Sequence, residues 1–190
     1  VDDVNAMQEA ADRFVSIHAS KKLIGSSRNI RDNFKCICFS EAPISKLAFM
    51  LAHGGRVRYK PFGVVVTKKW LFAQGGRPVI YQPEKEYPLL GEQLQFRHVR
   101  FEPDSDIDHT WEREWRIKTD ELTLSSTDAT LVVPNRAWAQ WIMNCRSAEM
   151  SSKAIVTQGF GLGRIEWHVI VLEDLGISIG GICDPPRREQ

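Results

Sequence analysis

Cysteine is sparse in this chain, with four in 190 residues, and no pair has C-x-x-C spacing. That leaves little from which to build a disulfide framework or a zinc site. Cys36 and Cys38, two apart, point the same way on a strand and read as reduced, packed thiols of a cytoplasmic protein. The five histidines show no H-x-x-x-H or H-x-H pairing, so no metal is expected. No apolar run reaches the ~20 residues of a membrane-spanning helix. The N-terminus is acidic and amphipathic, without the apolar core of a signal peptide. The formal net charge is only +1, which argues against a surface built for non-specific nucleic-acid binding.

Catalytic signatures are scarce as well. No Gly-x-Ser-x-Gly elbow is present. Gly159-Phe160-Gly161-Leu162-Gly163 lacks the Walker lysine and the G-x-G-x-x-G spacing, so it reads as a turn. Asp104, Asp106 and Asp108 alternate beside Pro103 and read as a solvated acidic loop rather than a metal site.

What is present is an ordinary globular composition, 43% hydrophobic and 26% charged, long enough for one core. The economical expectation is a single domain over 1–190, with an irregular excursion about 82–110 and a loose tail at 184–190. Val4–Ala11 carries helical spacing, and Phe14–Ser20 reads as a strand. Strands are also expected at Phe34–Ser40, Phe62–Thr67, Pro78–Tyr81, Trp111–Ile117, Ala129–Val133, Ala154–Val156 and Trp167–Leu172. Ile44–His53, Lys68–Gln74 and Arg136–Met150 read as helices. Many short strands with a few short helices make an α+β chain.

The stretch Trp111-Glu112-Arg113-Glu114-Trp115-Arg116-Ile117 concentrates the chemistry. At period two it puts Glu112, Glu114 and Arg116 on one face of a strand, Trp111, Arg113, Trp115 and Ile117 on the other. Same-face neighbours lie roughly 7 Å apart, so the two carboxylates can meet one small molecule. Equally, Glu114 and Arg116 can pair as a structural ion pair. His18, at the end of its expected strand, is either a hydrogen-bonded structural residue or a donor to a ligand hydroxyl, with Ser20 beside it. Ser40-Glu41 either lines a cleft or caps the next helix.

Several stretches carry a resemblance. Cys36-Ile37-Cys38-Phe39-Ser40-Glu41-Ala42-Pro43-Ile44-Ser45 resembles the CF-x-x-x-P-L-S stretch of the bacterial abortive-phage-infection family AbiGi, labelled an antitoxin family. Phe62 to Trp70 resembles its YG-I-G-L-T-K-E-W, Pro78-Val79-Ile80-Tyr81 its N-P-V-L-Y, and Glu112-Arg113-Glu114-Trp115-Arg116 its E-R-E-W-R. The matches keep the family's order over residues 14–118, and the last third of the chain matches only loosely. More distantly, the pattern resembles ADP-ribosyltransferase-fold domains, the DarT group included.

That resemblance implies a split antiparallel sheet with short flanking helices and NAD as substrate. It also implies a first-strand His or Arg, a middle strand beside the nicotinamide, and a late-strand catalytic Glu. Carried over by position, His18 takes the first role, with Ser20 helping to orient the nicotinamide ribose. Phe39 or Ser40 takes the second. Glu114 takes the third, and Glu112 completes an E-x-E pair. A carboxylate holding the ribose 2′-hydroxyl would stabilise the oxocarbenium charge that develops as the nicotinamide–ribose bond breaks. Ala19 departs from the Thr or Gly common after the His in such folds. Arg56, Arg58, Lys60 and Arg116 would face a target protein or nucleic acid. The alternative is a non-catalytic antitoxin or sensor module, paired with a protein partner of a defence or toxin–antitoxin system. Its contact surfaces would be Trp138-Ala139-Gln140-Trp141 and the basic 56–60 stretch.

Overall fold

Met7, Ala11 and Phe14 are all buried, a spacing of four and three residues that only a helix can keep on one face. The computed structural model accordingly has one helix over Asp2–Ser20. This overturns the strand expected at Phe14–Ser20. The β-branched residues Val15 and Ile17 favour a strand only weakly, and the apolar stripe from Met7 to Phe14 carries the helix through them.

The structure describes residues 2–43, 45–46, 59–154, 167–177 and 179–187. Ile155 and Val156 of the strand expected from Ala154, the Gly159–Gly163 turn, Arg56, Arg58 and most of the Ile44–His53 helix lie outside them, while Ala154 ends a helix. The chain is α+β, with four small sheets and few helices among the described residues. Its described residues group into two compact units, one from 2–20, 59–66, 125–154, 167–177 and 179–187, the other from 21–43, 45–46 and 67–124.

The first unit holds a three-stranded sheet of β3 (Gly63–Val66), β9 (Ala129–Val133) and β10 (His168–Val171), with β9 in the centre. β9 runs antiparallel to β3 and parallel to β10. Leu131 and Val133 of β9 have no exposed surface, as expected of a central strand. Between β9 and β10 comes the helix Arg136–Ala154. Its start is capped by Asn135, whose Oδ1 accepts from Trp138 N at 3.1 Å. Trp138 is 1% exposed and stands edge-on to Phe14 at 6.0 Å and to Phe62 at 4.7 Å between ring centroids. Its indole N–H donates to Cys183 O at 2.9 Å. The helix was expected, but Trp138 as an exposed contact surface was not borne out. It is core.

The second unit centres on an antiparallel sheet of β2 (Cys36–Ser40), β7 (Glu114–Lys118) and β4 (Arg77–Pro78), with β7 in the middle. Two smaller pairs complete it: antiparallel β1 (Lys22–Ile24) with β8 (Glu121–Thr123), and parallel β5 (Ile80–Gln82) with β6 (His98–Arg100). The expected strand at Pro78–Tyr81 is split at buried Val79, so its halves join different sheets. Gly25 donates its N–H to Asp120 O at 2.7 Å. A Cβ there would lie 2.1 Å from Thr119 O, so no other residue allows this approach. The 82–110 excursion holds short 3-10 turns, the helix Glu92–Gln95 and β6.

Thr67 starts the helix Lys68–Ala73 by accepting from Trp70 N at 3.2 Å through its Oγ1. Among the described residues, no helix is long and apolar enough to cross a membrane.

Candidate functional site

β7 begins at Glu114, not at Trp111. Thr110–Glu112 is a 3-10 turn, and Arg113 leaves it in the left-handed region with φ 46° and ψ 50°. The alternation expected over Trp111–Ile117 therefore breaks at Arg113. Glu112 and Glu114 do not share a strand face, because the turn inserts a change of direction between them. Turn propensity is weak in the sequence here, since Arg113 is not a residue type that announces positive φ.

From Glu114 onward the strand register decides which side chains meet. Ser40 lies opposite Glu114, Cys38 opposite Arg116, and Cys36 opposite Lys118. Directly opposed residues project to the same face. Across the other edge, Arg77 lies opposite Arg116. One face thus carries Cys36, Cys38, Ser40, Glu114, Arg116, Lys118 and Arg77. Phe39 is opposite Trp115 and belongs to the other face, away from Glu114.

Glu114 and Arg116 form a bidentate ion pair. Arg116 Nε donates to Glu114 Oε1 at 2.8 Å and Nη2 donates to Oε2 at 3.2 Å. Arg116 Nη1 donates to the carbonyls of Phe96 at 2.9 Å and His98 at 3.0 Å. The Arg116 side chain is 6% exposed and that of Glu114 12%. Burial pulls the guanidinium pKa down, but the Glu114 carboxylate outweighs it and the net shift is upward. The ion pair between Glu114 and Arg116 that the spacing allowed is formed.

Ser40 Oγ donates to the Glu112 carbonyl at 2.6 Å and accepts from Ala42 N at 3.1 Å. Tyr81 OH accepts from Glu114 N at 3.2 Å and donates to His109 O at 3.3 Å. Burial chiefly raises its pKa, and the carboxylates of Glu114 and Glu112 add to this. Cys38 is an exposed residue, yet its thiol is pushed up to about 12, first by desolvation and then by the charge of the Glu114 carboxylate. It therefore stays a thiol and a donor near neutral pH.

Glu41 is the hub that the sequence marked only as a cleft-or-cap position. Its carboxylate accepts from Lys68 Nζ, from Arg113 Nη2 at 3.1 Å and from Trp115 Nε1 at 3.0 Å. Those donors, Lys68 first, hold its pKa below the ordinary range. The contact with Arg113 ties the left-handed residue to the end of β2, which Glu41 N reinforces by donating to Arg113 O at 3.2 Å. No spacing rule would have joined residues 41, 68 and 113.

His18 and Ser20 lie on the Asp2–Ser20 helix of the first unit, while Ser40, Glu112, Glu114 and Arg116 belong to the second. His18 stands 5.4 Å from the Trp141 ring, and Ser20 Oγ donates back to Ser16 O at 2.7 Å. Lys60 is half-buried, in an irregular segment. Among the described residues, no three His, Cys, Asp or Glu side chains gather as a metal-holding group.

No family model, curated protein or solved structure matches this chain.

Proposed function

We propose that this chain is an NAD-using, ADP-ribosyltransferase-like domain of a bacterial phage-defence or toxin–antitoxin system, with Glu114 as its reacting carboxylate. The observation that supports this most is the register that sets Ser40 opposite Glu114, with the Ser40 hydroxyl bound to the Glu112 carbonyl. Three of the residues that the AbiGi and DarT resemblance singles out thereby stand together at one strand end. A carboxylate has about four acceptor positions. Arg116 takes two, which leaves room for a ligand hydroxyl. Arg116 fixes the carboxylate's rotamer, so a ribose hydroxyl would meet a preorganised acceptor and oxocarbenium charge would develop against it. In this reading Ser40 orients the Glu112–Glu114 turn, and His18, Ser20 and Phe39 have no assigned part.

The second reading is a non-catalytic binding module, and the same ion pair favours it. A carboxylate only 12% exposed and clasped by arginine is what a structural role requires. Nicotinamide release from NAD, with and without host lysate, separates the two. Release that disappears in Glu114→Gln while the variant remains folded supports the enzyme. No NAD binding and no release by the wild type, in buffer or lysate, overturns it and leaves the binding module.

A further inference from the structure

Tyr81 sits in the middle of β5, opposite Val99 of β6, and its side chain reaches out of that sheet to the turn that precedes β7. Its hydroxyl accepts from Glu114 N at 3.2 Å and donates to His109 O at 3.3 Å. One oxygen thus closes the span from 109 to 114, whose interior is the Thr110–Glu112 turn and the left-handed Arg113. The Glu114 carbonyl is held from the same segment, accepting from Val79 N at 3.0 Å. Both backbone polar groups of Glu114 are therefore fixed by residues 79 and 81.

The turn needs holding. A non-glycine residue in the left-handed region, as Arg113 is at φ 46° and ψ 50°, persists only where its surroundings over-determine it, and such outliers cluster at functional sites. Side chains from separate elements do so here. Ser40 Oγ donates to Glu112 O at 2.6 Å, the Glu41 carboxylate accepts from Arg113 Nη2 at 3.1 Å, and the Tyr81 hydroxyl spans His109 and Glu114. Ser40 and Glu41 act on residues before 114, whereas Tyr81 acts on the residue that carries the carboxylate. A phenol ring turns on only two side-chain dihedrals, and this one is based in a paired strand, so it is a stiff strut. Burial raises its pKa, which keeps the hydroxyl protonated and able to donate and accept at once.

We propose that Tyr81 is a positioning residue for Glu114, acting through the backbone: its hydroxyl fixes where β7 begins, and so where the Glu114 carboxylate stands beside Arg116. Its part in turnover rests on the reading of Glu114 as the reacting carboxylate. A carboxylate displaced from the charge that develops on the ribose loses transition-state stabilisation, which lowers kcat and leaves KM in place. The hold on the turn is a separate property, and it can be read without NAD.

Tyr81→Phe keeps the ring and removes only the hydroxyl. Tyr87→Phe is its control, since the Tyr87 hydroxyl also ties two segments of the second unit together, by donating to Asp32 Oδ2. Nicotinamide release is measured on the full chain at a temperature where both variants and the wild type are folded. Tyr81→Phe should lower kcat by ~tenfold or more while KM for NAD stays within ~twofold. Tyr87→Phe should leave both within ~twofold. Amide exchange at Glu114, followed by NMR without NAD, should be faster by ~tenfold or more in Tyr81→Phe, with Ile117 of the same strand unchanged. An unchanged kcat in folded Tyr81→Phe, or an equal loss in Tyr87→Phe, would overturn the positioning role. Unchanged exchange at Glu114 would overturn the hold of the hydroxyl on the turn. A wild type that releases no nicotinamide, with exchange at Glu114 still faster in Tyr81→Phe, overturns the reading of Glu114 and leaves the hold standing.

Discussion

Replacing Glu114 by glutamine tests both the architecture and the proposed chemistry. The Arg116 guanidinium is held by two bonds to Glu114 and two to the carbonyls of Phe96 and His98. Glutamine would preserve the shape and one acceptor but remove the charge. A buried pair broken by removing one partner loses ~3–5 kcal/mol, and the surviving carbonyl bonds place this case at about 3 kcal/mol. For a chain of this length each kcal/mol lowers Tm by ~2–4 °C, so a fall of ~6–12 °C is expected by thermal denaturation. A cycle with Arg116→Met and the double variant isolates the pair. Its coupling should be ~1–3 kcal/mol, because the double variant leaves neither charge stranded. A Tm within ~1 °C of the wild type, or a cycle additive within ~0.5 kcal/mol, would refute the claim that this ion pair holds the excursion to the central sheet. NAD turnover measured on the same variants at a temperature where all are folded separates loss of chemistry from loss of structure.

Other outcomes follow from single positions. His98 is 5% exposed, stands 5.1 Å from the Tyr87 ring, and its Nε2 has no hydrogen-bond partner among the described residues. Burial, with smaller contributions from Arg31 and Arg116, lowers its pKa from 6.5. The fold therefore favours neutral His98, and its contribution is complete above 6.5 and lost as pH falls below it. Tm should drop as the pH falls below about 6.5, and His98→Gln should flatten that drop. Alkylation of Cys38 by iodoacetamide near pH 8 should be at least ~hundredfold slower than that of an unperturbed thiol, and Glu114→Gln should speed it; ready labelling of the folded protein would contradict the environment described. Trp138→Ala should cost ~3–5 kcal/mol in denaturant unfolding, and a cost below ~1 kcal/mol would show that Trp138 is not core.

Some of this fold could be read one segment at a time. Ala129–Val133 has both ends marked, by turn residues before it and by Pro134-Asn135 after it, and β9 occupies those same residues. The helix after it was legible from the spacing of Trp138, Trp141 and Ile142, with Asn135 as its cap. Thr67 and Gly75-Gly76 likewise bracket the helix at Lys68–Ala73, with Gly75 at φ +91°. In each case the signal is local, because caps, breakers and apolar period all lie within a few residues.

The candidate site was legible in part. The motif around Glu114 drew attention to the strand that carries the Glu114–Arg116 pair, and the choice between ligand site and ion pair was visible in the spacing of those two residues. The turn at Arg113 was not visible, since it is held by long-range contacts to Glu41 rather than by a glycine or an asparagine. For the same reason Phe14–Ser20 misled: its local preference is for a strand, and the decision belongs to an apolar stripe that begins at Met7.

The sequence by itself determined the α+β composition, the strand at β9 and the helix after it, and the identity of the charged residues around Glu114. Tertiary structure alone decided that Ser40 meets Glu114 and that Glu41 gathers Lys68, Arg113 and Trp115. Those partners lie between 27 and 74 residues apart. The physical reason is that periodicity and capping act within a turn or a strand, whereas charge pairing depends on strand register and on burial, which only the closed chain specifies.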